Sequence, residues 1–189
     1  FPVRAAGIPV NIKNTNQPED RGTMIVSESA EHCDHIITGI AGKKGMSVIN
    51  IEKDKMNSEI GFGKNVLRAL EKSNVSFEHM PSGVDTMSVV IATEALAGKE
   101  TAIIDEIKSR VHPDQIYIES NLALIAVVGR GMKSARGTAI LFSALADARV
   151  NIKMIDQGSS ELNIIVGVEE EDFEVAIKAI YKRFIGINQ

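Results

Sequence analysis

The chain has 189 residues, 44% of them apolar and 24% charged, and a formal net charge of −4. That is a globular composition whose mild acidity offers no footprint for nucleic acid or an anionic membrane, and no apolar run reaches the roughly 18–20 residues of a membrane span. Its single cysteine, Cys33, cannot close an internal disulfide and reads as a small hydrophobe, which fits a reducing cytoplasm.

Phe1-Pro2 leads straight into a strand-like stretch, so the chain reads as part of a longer polypeptide. Ile8-Pro9-Val10-Asn11-Ile12-Lys13-Asn14 alternates like a strand, Pro18-Glu19-Asp20-Arg21-Gly22-Thr23 is a turn cluster, and Met24-Ile25-Val26 is a short return strand. The polar stretch 27–34 is a linker. A strand follows over 36–41, then a turn at Gly42-Lys43-Lys44-Gly45.

From Met46 the order is βαββαβ. A buried strand covers 46–53, and Gly61-Phe62-Gly63 introduces a helix with Val66, Leu67, Leu70 and Val75 near the spacing of one buried face. Strand 76–80, the turn Pro81-Ser82-Gly83 and strand 87–93 come next. A helix over 99–110 buries Ile103, Ile104 and Ile107, His112-Pro113-Asp114 stops it, and 115–120 returns as a strand. Strand 122–128, the loop Gly129-Arg130-Gly131, helix 138–148, strands 151–156 and 162–168 and helix 172–184 then give βαββα, one strand short.

The two series are copies at an offset of 75 residues over about forty positions. Val66, Ala69, Leu70 and Val75 fall on Leu141, Ala144, Leu145 and Val150, and Gly83 falls on Gly158. Counting strands assigns the unplaced 36–41 to the second copy, because an unfilled edge exposes unpaired backbone N–H and C=O groups. The fold class is therefore α+β: two ferredoxin-like βαββαβ modules, antiparallel sheets with helices on one face.

Catalytic signatures are missing. Gly129-Arg130-Gly131 fails the G-x-G-x-x-G pattern at Ser134 and reads as a tight strand-to-helix turn. Glu169-Glu170-Glu171-Asp172 suits the first turn of a helix, and His32, His35, His79 and His112 lack metal-ligand spacing. The loops that precede the first helix of each copy, 54–63 and 129–137, are rich in Gly, Ser and polar residues. Free N–H groups of the following helix can hold a carboxylate, and Glu78 or Asp85 can take an ammonium, which together is the chemistry of a free amino acid.

Two strings carry a resemblance. Ile8-Pro9-Val10-Asn11-Ile12-Lys13-Asn14-Thr15-Asn16-Gln17-Pro18-Glu19-Asp20-Arg21-Gly22-Thr23 resembles the segment that closes the catalytic domain of aspartokinases. Val150-Asn151-Ile152-Lys153-Met154-Ile155-Asp156-Gln157-Gly158-Ser159-Ser160-Glu161-Leu162-Asn163-Ile164 resembles the signature of their second ACT module. The resemblance implies a division into the end of the kinase domain (1–26), a linker with the extra strand 36–41 completing the second module (27–45), ACT module 1 (46–120) and ACT module 2 (121–189). It implies the cytoplasmic regulatory part of an enzyme that phosphorylates L-aspartate with ATP under feedback from lysine, threonine or both. Partners would be that amino acid, the kinase domain and a second copy joined through the ACT modules. No cofactor is implied in these residues, ATP and Mg belonging to the kinase domain, and the chain alone should be inactive.

Carried over by resemblance, the effector site of module 1 is Met56, Phe62, Gly63, Ser76, Phe77, Glu78, Ser82, Gly83, Val84 and Asp85. Glu78 stands where a lysine-sensitive relative has an aspartate. The corresponding residues of module 2 are Met132, Asn151, Ile152 and Gln157. Two other classes compete: a separately made small regulatory subunit or stand-alone amino-acid sensor, and a small α/β enzyme, which lacks a catalytic constellation.

Overall fold

The computed structural model describes residues 2–26 and 36–185. The linker 27–34, with His32 and Cys33, lies outside the described residues, as do His35 and 186–189. The chain divides into two compact units, 1–34 and 35–189.

The first unit holds a short helix α1 (Pro2–Ala5) and a hairpin of β1 (Val10–Ile12) and β2 (Thr23–Ile25), with Val10 opposite Ile25 and Ile12 opposite Thr23. Its own polar groups hold the turn: Asn11 Nδ2 donates to the Arg21 carbonyl at 3.2 Å and Lys13 Nζ to the Pro18 carbonyl at 2.9 Å. Ile8, Ile12, Met24 and Ile25 remain exposed.

The second unit is built on one five-stranded antiparallel sheet in the order β4-β3-β5-β7-β6. In chain order its elements are β3 (Gly39–Glu52), α2 (Phe62–Lys72), β4 (Thr86–Ala92), α3 (Thr93–Leu96), α4 (Glu100–Val111), β5 (Gln115–Val128), α5 (Ala135–Asp147), β6 (Met154–Gln157), β7 (Asn163–Glu169) and α6 (Phe173–Ile185). Each long helix buries one stripe. In α2 these are Phe62, Val66, Ala69 and Leu70, and in α4 Ile103, Ile107 and Val111, with Ile104 only half-buried. α5 buries Leu141, Ala144 and Leu145, and α6 buries Ala176, Ile180 and Phe184.

The strand boundaries differ from the sequence reading where the two copies join. Gly42-Lys43-Lys44-Gly45 is not a turn but part of β3, and no break separates 120 from 122 in β5. Gly39–Lys43 pairs with Leu124–Val128, while Met46–Glu52 pairs with Gln115–Leu122 and with β4. The irregularity expected of two glycines is absorbed as register shifts at Lys43/Met46 and Met46/Val48, with Gly45 at φ +73°. The leading half of β3 thus occupies the fourth-strand position beside the first strand of the second copy. Residues 76–80 also fall short of a regular strand: 76–83 is an edge segment joined to β4 by isolated bridges at His79/Val90 and Ser82/Met87.

The helices of each copy cover one face over separate apolar cores, one around Ile49, Ile91, Leu70 and Ile107, the other around Ile125, Val166, Leu145 and Ile180. The opposite, helix-free faces meet each other. Val48 and Val90 from the first copy share a third cluster with Leu122, Leu124 and Met154 from the second. β4 and β6 stand at opposite ends of the sheet order, roughly 19 Å apart if it were flat at 4.8 Å per strand. Yet His79 Nε2, beyond β4, lies 2.9 Å from Asp156 Oδ2 on β6, so the sheet folds back along β3 and β5.

Candidate functional site

Loop 53–61 is clasped to turn 82–86 by backbone. Lys53 N–H donates to the Asp85 carbonyl at 2.9 Å, Asn57 N–H to the Val84 carbonyl at 3.1 Å, and Lys55 N–H to Asp85 Oδ1 at 2.9 Å. Lys55 adopts φ +58° to start the one-turn 3₁₀ segment Met56–Ser58. Met56 and Phe62 are buried and anchor this loop in the core. The Lys53 ammonium lies 5.8 Å from the centre of the Phe62 ring, bonds the Glu59 carboxylate and donates to the Val111 carbonyl at 2.5 Å. Asp114 Oδ2 accepts from Asp54 N–H at 2.7 Å.

At the head of α2 the cap is Gly61, with φ +84° and no side chain to accept a bond, and its first turn carries no acid. The N–H groups of Gly63 and Lys64 have no acceptor among the described residues. This terminus beside the exposed turn Ser82-Gly83-Val84-Asp85 can receive a carboxylate. The second copy carries a side-chain cap and a neighbouring segment at the same place. Ser134 Oγ accepts from Gly137 N–H at 3.2 Å and donates to the Gly131 carbonyl at 2.7 Å, while Gly131 N–H donates to the Ile36 carbonyl at 3.0 Å. Backbone of 36–38 fills the space a Cβ at Gly129 or Gly131 would need. Ser134→Ala removes this cap, and chemical denaturation should show a loss of about 0.5–2 kcal/mol.

The structure brings Met56, Phe62, Gly63, Ser82, Gly83, Val84 and Asp85 together, and sets Ser76, Phe77 and Glu78 apart. The edge segment runs back along α2, so Ser76 and Phe77 lie beside Leu67, Arg68 and Val75, near the end of that helix. Glu78 N–H donates to the Val90 carbonyl at 2.8 Å, whereas Gly83 N–H donates to Thr86. Five residues at roughly 3.3 Å each put Glu78 about 16 Å from Gly83, beyond the reach of one free amino acid within a single chain. On its outer side the segment is unpaired: the N–H groups of Phe77, His79 and Met80 have no partner among the described residues.

In the second copy Met132 is fully buried in the core and Ile152 packs against it, while Asn151 and Gln157 are exposed. The position repeating Glu78 is Lys153, of opposite charge. Its ammonium pairs with the Glu119 carboxylate and with Glu169 Oε1 at 3.1 Å, and those hydrogen bonds hold it above the usual lysine range. One further residue was missed by sequence reasoning: Lys43, whose Nζ lies 2.6 Å from Glu78 Oε1. The two stand 35 positions apart, on an expected turn and an expected strand, and no local pattern joins them.

Among the described residues no group of three or more His, Cys, Asp or Glu could hold a metal ion, and no helix is long and apolar enough to cross a membrane. Comparison with known proteins gives a consistent family. A family profile described as ACT domain matches residues 125–184. Aspartokinase 3 of Bacillus subtilis (strain 168) is 42% identical over 186 residues, which cover 97% of this chain and 41% of that protein. The crystal structure of Clostridium acetobutylicum aspartate kinase, described as an allosteric enzyme, superposes with a TM-score of 0.90 at 55% identity, over 98% of this chain and 43% of that one. The regulatory subunit of aspartate kinase from Thermus flavus shares the fold, with a TM-score of 0.67 at 21% identity over 78% of this chain and 98% of that one. The chain thus spans about two fifths of the length of the full-length relatives it matches.

Proposed function

The chain belongs to the aspartokinase family, as its ACT-domain regulatory region, and on that premise we propose that it binds a free feedback amino acid, lysine or threonine, between the first modules of two copies. The observation that carries this reading is the contrast between the two helix heads. α2 begins at an uncapped glycine with free N–H groups, whereas at the head of α5 a serine caps Gly137 N–H and the Ile36 backbone lies against the entering loop. A ligand carboxylate has a place in the first copy.

The separation of Glu78 from that place supports a site shared by two chains. Antiparallel pairing of two edge segments reverses their order, setting Glu78 of one protomer beside the 82–85 turn of its partner. The free outer N–H groups of the segment favour such pairing. Half-exposed Phe77 extends the same face. The exposed apolar residues of the first unit, Ile8, Ile12, Met24 and Ile25, suit packing against the kinase domain. ATP and Mg would be handled there, and the 189-residue chain alone is expected to show no phosphoryl transfer. A small regulatory subunit or a separate sensor would use the same site.

Calorimetric titration of the chain with lysine and threonine, together with light scattering, tests the reading. Saturable binding of one of them to a dimer, at one ligand per chain, is expected. A monomer at tens of micromolar with ligand present, or no heat from either amino acid, would overturn it.

A further inference from the structure

Glu78 is already occupied in this chain. Lys43 Nζ sits 2.6 Å from its Oε1, and with side-chain exposures of 55% and 42% both groups are open to solutes. Lys43 is not a neighbour from the same module: it lies on the leading half of β3, opposite Leu124 of the second copy and just before the register shift. Other groups at this junction have neighbours of their own: His79 Nε2 lies 2.9 Å from Asp156 Oδ2, and Lys153 pairs with Glu119 and Glu169. Glu78 is thus a half-exposed carboxylate whose cation comes from the other module and can be exchanged. Lys43 holds Oε1 of Glu78 and repels a second ammonium at the same carboxylate, so a ligand ammonium and Lys43 compete there.

We propose that Lys43 is a built-in competitor: it holds Glu78 in the free chain, is displaced by the ammonium of the bound amino acid, and so sets the concentration at which the site fills. This rests on the reading of Glu78 as the ligand's ammonium partner. Displacement also frees the side chain of a strand half that completes the second module's sheet, giving the filled site a direct connection to that module.

Titration of the 189-residue chain and its variants with L-lysine and L-threonine separates the two readings. Lys43→Met should tighten binding about two- to fivefold, the range of an exposed ion pair, and Lys43→Arg should keep the parent affinity. Tightening for lysine alone supports competition with the side-chain ammonium; tightening for both supports competition with the α-ammonium. If Glu78→Gln weakens binding while Lys43→Met leaves both affinities unchanged, the competitor is overturned and the site stands. If Glu78→Gln changes neither affinity, the placement of the site fails and the competitor falls with it.

Discussion

Ile125→Ala should lower the free energy of unfolding by about 2–5 kcal/mol and should do so for both modules at once. Ile125 is fully buried at the centre of the second core, against Leu141, Leu145 and Val166, where a truncated side chain leaves a cavity that a closely packed sheet and helix pair cannot collapse. It also lies on β5, which runs without interruption through both copies and pairs with β3 along nearly its whole length. The first copy lies in the chain between the fourth-strand piece of the second, Gly39–Lys43, and the rest of it. Neither copy can then unfold alone without tearing a shared strand. The two tyrosines provide a reporter on each side, Tyr117 on the first-copy half of β5 and Tyr181 on α6. Urea titrations of single-tyrosine variants should give coincident midpoints, displaced together by Ile125→Ala. Two separated transitions would show that the continuous strands do not couple the modules.

Glu78→Ala should weaken binding of the feedback amino acid ten- to a hundredfold, because it removes one charge-assisted hydrogen bond worth about 1.5–3 kcal/mol. The fold should persist. The side chain is half-exposed, its ion-pair partner among the described residues is the more exposed Lys43, and surface pairs of this kind contribute at most about 1 kcal/mol. In the intact enzyme the same change should relieve inhibition and leave turnover without effector nearly untouched, since a ligand shifts an equilibrium only through its differential affinity for two states. Calorimetry on the chain and inhibition curves on the whole enzyme are the measurements. Unchanged affinity for both lysine and threonine would remove Glu78 from the site.

What could be read from the sequence by itself was whatever local spacing or chain self-similarity encodes. The helices α2, α4, α5 and α6 follow from apolar residues at i, i+4 and i+7, such as Phe62, Val66 and Ala69, because a helix shows one stripe to its core whatever that core is. The doubling follows from the 75-residue offset, and the uncapped glycine at the head of α2 from Gly61-Phe62-Gly63. Only the tertiary structure decided the rest. Gly42-Lys43-Lys44-Gly45 has turn chemistry, yet it is strand, because Leu124–Val128 offers a ladder whose hydrogen bonds outweigh a local preference. Met56, Phe62 and Met132 were carried over by resemblance as effector-site residues, and the fold buries their side chains in the two cores, because apolar side chains are drawn into the nearest hydrophobic cluster. The Lys43–Glu78 ion pair and the close approach of His79 to Asp156 exist because the sheet folds back on itself. Charges brought together by a fold from distant parts of a chain leave no trace in sequence spacing, because their attraction depends on distance in space alone.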